Sequence, residues 1–278
     1  MDFQIFAEPK IDCHMHVLDP SRFPYGAATH YAPMGQEMGT AAQLDNVLDA
    51  YGTRYALLVA PNSGYAFDNS CLYDTIARGR GRYRGIALVR NDTPLAELAR
   101  LKNNGIVGVA WNVTHYGVDY YRDAAPLLAA LQELDMFVDI QVEHDQLVPM
   151  MPMLLQSGVR ILVDHCGRPT IAAGLDQPGF RAVLQLGATG RAFVKLSGLA
   201  KFSLQPAPHQ DAWPYVRALV DAFTLERCLW ASDWPHLRGT SRVDYGVLLA
   251  ILLALFPDAA ERRKLVWDTP RELFGFAA

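Results

Sequence analysis

The chain has 278 residues, of which 51% are hydrophobic and 19% are charged. This length suits one large α/β barrel or two ordinary domains, and the composition is that of a soluble globular protein. The formal net charge is -4 and no basic patch is visible, which argues against nucleic acid and anionic membranes as partners. We therefore expect a globular, enzyme-sized protein that is a monomer or a homo-oligomer.

Targeting and redox signals point to a cytoplasmic protein. Residues 1–9 lack the basic and long apolar regions of a signal peptide, and the longest apolar run, residues 247–256, is too short to span a bilayer. The four cysteines lack metal-finger spacing, so we expect buried thiols in a reducing compartment rather than disulfides. They are Cys13, Cys71, Cys166 and Cys228.

Short apolar runs with strand-like composition alternate with longer helical patterns, and no linker interrupts them. The predicted strands are residues 10–17, 54–60, 85–89, 106–113, 137–142, 160–165, 192–197 and 228–233. The predicted helices lie near residues 41–51, 69–78, 95–103, 124–134, 147–156, 180–186, 212–223, 243–255 and 260–274. Repeated βα units of this kind indicate a parallel sheet with helices packed against it.

Eight such units predict an α/β protein that folds as a single-domain (β/α)8, or TIM, barrel over residues 1–278. An open doubly wound sheet is the alternative. That fold usually carries a glycine-rich phosphate-binding turn after its first strand. Here the first strand ends in His-Met-His instead, which favours the barrel.

The end of the first strand, Asp-Cys-His-Met-His, is the first candidate site. Side chains two positions apart on a strand share a face, so His14 and His16 point the same way, with Asp12 below them. Two converging imidazoles can hold a metal ion or a polarised carbonyl oxygen. An isolated pair of this kind also arises by chance, so other segments must decide.

Catalytic groups in a barrel gather at the carboxyl ends of its strands. His165 ends the sixth predicted strand and Asp233 ends the eighth. Strand alternation puts Ile161 and Val163 on the inward face with His165, while Asp164 is expected to face the helical layer. Together with the histidine pair of the first strand, four groups are predicted at one mouth.

Eight segments, in chain order, carry a resemblance to a known family. They are Ile-Asp-Cys-His-Met-His-Val (11–17), Arg-Phe-Pro-Tyr (22–25) with His-Tyr-Ala-Pro (30–33), Asp-Asn (68–69), Gly-Arg-Tyr-Arg-Gly (81–85), Val-Asp-His-Cys-Gly-Arg-Pro (163–169), Val-Lys-Leu-Ser-Gly (194–198) and Leu-Trp-Ala-Ser-Asp-Trp-Pro-His (229–236). The chain resembles the amidohydrolase superfamily, and within it the branch of 2-pyrone-4,6-dicarboxylate lactonase and related lactone hydrolases. The resemblance implies a (β/α)8 barrel that hydrolyses lactones or small cyclic acids, in a branch whose pyrone lactonase is known for working without a divalent metal.

The resemblance also implies roles for the four strand-end groups. Asp233 would be the general base that takes a proton from the attacking water and passes it to the departing oxygen. His14, His16 and His165 would polarise the lactone carbonyl in place of a metal, so no cofactor is expected. The structural alternatives are a helix-capping carboxylate for Asp233 and a buried core histidine for His165.

The same four side chains also suit one Zn²⁺ or Mn²⁺ ion, with His14, His16, His165 and Asp233 as ligands. This alternative describes a mononuclear metal-dependent hydrolase, or a decarboxylase of a small aromatic or muconate-like acid. A pair of metals is not expected, because the end of the fifth strand offers glutamine and glutamate rather than a lysine that could be carbamylated. A catalytically idle barrel would show a broken set of strand-end groups.

Substrate recognition departs from the family pattern at residues 105–112. The branch carries Gly-Val-Arg-Gly-Val-Arg-Phe-Asn there, and this chain has Gly-Ile-Val-Gly-Val-Ala-Trp-Asn, without either arginine. Because arginine grips carboxylates bidentately, we expect a small lactone with one carboxylate, or a sulfonate or hydroxyl pattern, rather than two carboxylates. The predicted substrate-binding residues are Arg168, Tyr31, Ser63, Asn112, His115 and Lys201.

Overall fold

The computed structural model describes residues 4–27, 29–239 and 241–277. Eight parallel strands lie side by side in chain order and form a nearly closed barrel. They are β1 (Lys10–Met15), β2 (Thr53–Val59), β3 (Tyr83–Ala87), β4 (Ile106–Asn112), β5 (Phe137–Gln141), β6 (Arg160–Val163), β7 (Ala192–Leu196) and β8 (Cys228–Trp230). Each lies within one or two residues of its predicted start, so the predicted (β/α)8 fold is confirmed.

Helices connect the strands and form the outer layer of the barrel. They are α1 (Gln4–Ala7), α2 (Ala41–Ala50), α3 (Ser70–Arg78), α4 (Leu95–Asn103), α5 (Val113–Tyr116), α6 (Ala125–Glu133), α7 (Met151–Ser157), α8 (Pro178–Gly187), α9 (Trp213–Phe223), α10 (Tyr245–Leu255), α11 (Ala259–Arg263) and α12 (Thr269–Phe274). None of those in the described ranges is long and apolar enough to cross a membrane.

The last predicted helix, residues 260–274, is interrupted in the structure. A π-helical turn, Lys264–Asp268, separates α11 from α12. Pro270 lies in the first turn of α12, where its missing amide hydrogen cannot continue the helical ladder of the preceding turn. The helix predicted at residues 147–156 is likewise split into a 3₁₀ turn, Val148–Met150, and α7.

The barrel closes between its first and last strands through main-chain bonds that lie just beyond β8. The amide of His16 donates to the carbonyl of Trp234 (2.8 Å), and the amide of Asp233 donates to the carbonyl of His14 (2.9 Å). We call these two bonds the seam. They hold the two histidines of the first strand and the aspartate of the eighth in adjacent positions.

Asp12 supports the seam from the side rather than lying below the imidazoles. The register between β1 and β2 shifts between Asp12 and Met15, so the regular alternation expected along the strand is lost there. Oδ1 of Asp12 instead accepts the amides of His14 (3.2 Å) and Ser232 (3.0 Å). The carboxylate therefore ties β1 to the chain that follows β8.

Aromatic side chains fill the amino-terminal end of the barrel. Tyr55 of β2 stacks on Phe276 (centroids 4.8 Å apart) and on Trp267 (5.9 Å), while Phe137 of β5 packs edge-on against Phe274 (5.7 Å). The C-terminal segment thus covers this end with apolar surface. The carboxyl ends of the strands remain accessible at the opposite end.

Gly108 marks the tightest inward position of β4. A Cβ atom there would lie 2.7 Å from the carbonyl oxygen of Phe137 and 2.9 Å from Cδ1 of Ile86. We expect Gly108→Ala to lower the free energy of unfolding by about 1–3 kcal/mol, because the added methyl overpacks the barrel interior. Urea unfolding followed by circular dichroism measures the change.

Gly26→Ala is the matched control, since its Cβ would meet only the Gly64 carbonyl oxygen, at 3.9 Å. An unfolding midpoint for Gly108→Ala equal to that of this control would contradict the packing argument.

Candidate active site

A cavity of about 510 Å³ opens at the carboxyl ends of the strands. The four predicted catalytic residues, His14, His16, His165 and Asp233, all line it. All four are buried, which means that they form its floor rather than its rim. This end of the barrel is where the strand-end groups were expected to meet.

The Asp233 carboxylate lies at the centre of the four. Its Oδ1 is 3.7 Å from Nε2 of His14, 3.5 Å from Nε2 of His16 and 3.6 Å from Nε2 of His165. Its Oδ2 is 2.8 Å from the ammonium nitrogen of Lys201. We call these five side chains the floor cluster.

The second nitrogen of each imidazole is held by a different partner. Nδ1 of His16 lies 2.8 Å from the carbonyl oxygen of Val59, which can only accept, so this nitrogen carries a hydrogen. Nδ1 of His165 lies 3.0 Å from the hydroxyl of Ser197. These contacts fix the ring planes and leave every Nε2 directed at the Asp233 carboxylate.

The third imidazole rests on a buried ionic network beneath the floor cluster. The ammonium group of Lys195 is fully buried and lies 2.7 Å from Asp139, 2.8 Å from Asp164 and 3.1 Å from Nδ1 of His14. Oδ1 of Asp164 is itself 3.1 Å from that nitrogen. One lysine of β7 thus joins β5 and the residue that follows β6 to the histidine of β1.

The charge of the site follows from these contacts. Burial opposes ionisation of Asp233, but Lys201 and the imidazoles outweigh it and hold the pKa of Asp233 well below its usual range. Burial also lowers the pKa of His14 to about 4, and it lowers the pKa of His165 well below its usual range. At neutral pH the floor therefore carries an ionised carboxylate beside two neutral imidazoles.

Two members of the floor cluster lie beyond the strands predicted to carry them. β6 ends at Val163 and β8 at Trp230, and both His165 (φ 50°) and Asp233 (φ 62°) have left-handed backbone conformations. Non-glycine residues with such angles are uncommon and often belong to functional sites. The turn after each strand, and not strand alternation, directs these side chains into the cavity.

The predicted orientation of Asp164 is wrong. Asp139 of β5 pairs with Leu162 of β6, and paired positions of parallel strands share a face. Leu162 of β6 and Asp164, which directly follows the strand and lines the cavity, therefore face inward, and Ile161 and Val163 face the helices. The prediction counted from a histidine that lies past the end of the strand, so its parity was inverted.

The predicted substrate-binding residues separate into two groups. Those that line the cavity are Ser63, Asn112, His115, Arg168 and Lys201. Tyr31 is not among the residues that line it, and its hydroxyl donates to the Glu37 carboxylate. Tyr31 therefore supports the loop after β1.

Two of the cavity residues already have partners. Arg168 pairs with Glu143 (2.9 Å). The side-chain oxygen of Asn112 accepts the amide of His115 (3.1 Å) and the hydroxyl of Thr114 (2.7 Å) and so caps α5. Both side chains are held in place before any ligand binds.

The sequence analysis did not predict the ionic network around Lys195. Lys195 and Asp139 each lie inside an apolar strand, and a charged residue at such a position was the available signal. It also missed His30, His236 and Arg238, which line the cavity from loops. Their placement depends on loop conformation, which the local sequence pattern does not reveal.

Among the residues that the structure describes, two overlapping groups could hold a metal ion. They are His14 with Asp164 and His165, and His14 with His16 and Asp233, with candidate ligand atoms within 4.8 Å of one another. Imidazole and carboxylate donors suit Zn²⁺ or Mn²⁺. However, an ammonium group lies 2.8 Å from each carboxylate, that of Lys201 at Asp233 and that of Lys195 at Asp164, and it competes with a dication for the same oxygen atoms.

We expect Lys195→Met to lower the free energy of unfolding by roughly 3–5 kcal/mol, because it leaves two buried carboxyl groups without their cation. The double variant Lys195→Met, Asp139→Asn recovers part of this loss by removing one of those groups. Urea unfolding compares the wild type, the single variant and the double variant. Lys102→Met, at an exposed lysine, is the control. A single variant as stable as this control would show that the network contributes nothing to folding.

Comparison with known proteins agrees with this site. A family model described as amidohydrolase matches residues 11–276. The 4-sulfomuconolactone hydrolase of Hydrogenophaga intermedia is 31% identical, over 96% of this chain and 89% of its own. The 2-pyrone-4,6-dicarboxylate hydrolase of Comamonas testosteroni is 26% identical, over 95% and 89%.

Solved structures include one with closely similar architecture. The crystal structure of a probable 2-pyrone-4,6-dicarboxylic acid hydrolase from Acinetobacter baumannii, with citric acid bound, superposes with a TM-score of 0.87 at 26% identity. The match covers 96% of this chain and 99% of that one. The resemblance expected from the sequence motifs is confirmed, and the chain belongs to the amidohydrolase family.

Proposed function

We propose that this protein is a lactone hydrolase that opens a small cyclic ester by attack of water. The observation that carries the proposal is the floor cluster, in which one ionised carboxylate meets three imidazole Nε2 atoms within 3.7 Å and one ammonium group at 2.8 Å. The names of the similar proteins, a sulfomuconolactone hydrolase and a pyrone dicarboxylate hydrolase, support the same class of reaction.

Asp233 is the proposed general base. Water lying against its carboxylate attacks the lactone carbonyl carbon, and its proton passes to Asp233 as the new C–O bond forms. A carboxylate of low pKa can accept this proton, because the water becomes strongly acidic as it bonds to carbon. The ring C–O bond then breaks, and Asp233 returns the proton to the departing oxygen.

The imidazoles divide two tasks between them in this proposal. Nδ1 of His165 can accept from the hydroxyl of Ser197, and Nδ1 of His14 can accept from the ammonium group of Lys195, which also neutralises the Asp164 carboxylate beside it; in these tautomers the hydrogen of each ring lies on Nε2. These two N–H groups polarise the lactone carbonyl and stabilise its developing negative charge. His16 is anchored through its Nδ1 hydrogen to the Val59 carbonyl, which directs its Nε2 to the place beside Asp233 where the attacking water would lie.

We expect Asp233→Asn to lower kcat for lactone hydrolysis by about 10²–10⁴, because the amide cannot accept the proton of water. The assay follows base consumption at constant pH with muconolactones, pyrones and sugar lactones. Asp123→Asn, at an exposed carboxylate outside the cavity lining, is the matched control. Full turnover by Asp233→Asn would remove Asp233 from the mechanism.

A single metal ion is the second candidate, because His14, His16 and Asp233 place suitable ligand atoms close together. A bound Zn²⁺ or Mn²⁺ would supply Lewis-acid polarisation of the carbonyl and a more acidic water. In that case the residues of this chain would orient the substrate and move the proton through Asp233. The ammonium group of Lys201 on the same carboxylate favours the metal-free reaction.

Chelation distinguishes the two candidates. We expect dialysis against EDTA or dipicolinate to leave lactone turnover unchanged, because Lys201 already supplies the positive charge beside Asp233. Metal content is measured on the same samples by mass spectrometry. Loss of turnover that Zn²⁺ or Mn²⁺ restores would establish the metal-dependent mechanism instead.

A further inference from the structure

The cationic side chains that line the cavity differ in whether a carboxylate already neutralises them. In the described part of the chain these are Arg168, Lys201 and Arg238. Lys201 contacts Asp233 at 2.8 Å, and Arg168 contacts Glu143 at 2.9 Å. No described carboxylate lies within ion-pair distance of the Arg238 guanidinium, so Arg238 alone among them keeps an unneutralised charge at the cavity.

Arg238 is held at the rim by its main chain and by an aromatic ring. Its amide donates to one oxygen of Glu37, and the Tyr31 hydroxyl donates to the other. The guanidinium lies over the Tyr31 ring, 5.5 Å from its centroid. Both oxygens of the Glu37 carboxylate therefore accept hydrogen bonds that position this loop. The Arg238 guanidinium remains able to bind a ligand.

Two histidines from other loops line the same cavity. His30 follows β1 and His115 lies in α5 after β4, and their rings stack with centroids 3.9 Å apart at 25°. Burial, with Arg238 nearby, lowers the pKa of both rings. Each is therefore a neutral imidazole at neutral pH and offers one N–H donor, while Arg238 supplies the charge.

We propose that His30, His115 and Arg238 form a binding subsite for a single anionic substituent, a carboxylate or sulfonate, of the lactone substrate. We call these three residues the rim subsite. The inference rests on the proposed function, since it names the part of the lactone that the rim holds while the floor cluster activates the water that attacks the lactone carbonyl. One guanidinium with two neutral donors matches one anion.

The end of β4 agrees with a single anionic group. Ala110 lines the cavity on the inward face of β4 and carries no charge. No positive charge is therefore available at that wall. The rim subsite places recognition of the anion on the loops after β1, β4 and β8 instead.

Removal of the Arg238 charge tests the subsite. We expect Arg238→Met to raise KM for muconolactone, which carries one carboxylate, by about tenfold or more through loss of a charge-assisted hydrogen bond. Its kcat changes little, and KM for the neutral α-angelica lactone is unchanged. His30→Phe and His115→Phe keep the ring stacking but lose the N–H donors. Each is expected to raise KM for muconolactone by a smaller factor than Arg238→Met does.

Arg242→Met is the matched control, because Arg242 lies four residues further along and is exposed and paired with Asp244. This variant should behave as the wild type with both lactones.

A binding assay separates failure of the subsite from failure of the proposed function. Calorimetry compares benzoate and benzenesulfonate with the neutral benzamide, on the wild type and on Arg238→Met. If no lactone is hydrolysed but the anions bind in an Arg238-dependent way, the subsite stands and the lactonase proposal fails. If Arg238→Met shows no selective loss toward anions in either assay, the subsite is wrong, whatever the turnover.

Discussion

Closure of the barrel and assembly of the floor cluster depend on the same two main-chain hydrogen bonds. The seam joins the carbonyl of His14 to the amide of Asp233 (2.9 Å) and the amide of His16 to the carbonyl of Trp234 (2.8 Å). Side chains borne by bonded main-chain segments cannot move apart without opening the sheet. The distances between the Asp233 carboxylate and the two imidazoles are therefore set by the fold itself.

The main role of the ionic network below the floor cluster is to orient the His14 ring rather than to add net stability. A buried ion pair gains little net stability over apolar packing, because desolvation of the charges offsets their attraction. Lys195, however, reaches Asp139, Asp164 and His14 from one atom and so fixes the His14 ring from beneath. A rigid ring presents its Nε2 at one place, which is what stabilisation of a developing charge requires.

The charges of the cavity are arranged by depth. On the floor, positive and negative groups are paired, as Lys201 is with Asp233. At the rim, Arg238 is held by its main chain and by a tyrosine ring, while its guanidinium has no ion-pair partner among the described residues. Under the function and the rim subsite that we propose, this arrangement would orient a small anionic ester with its charged group outward and its carbonyl against the floor.

The sequence by itself determined the barrel and the four residues at its centre, because alternating strand and helix patterns and short strand-end motifs are local signals. Tertiary structure alone decided the rest. Strand alternation no longer predicts side-chain direction once a strand ends. The turns at His165 and Asp233 and the inward direction of Asp164 were therefore not predictable. The Lys195 network joins strands that are distant in the chain, and packing around the closed barrel brings them together.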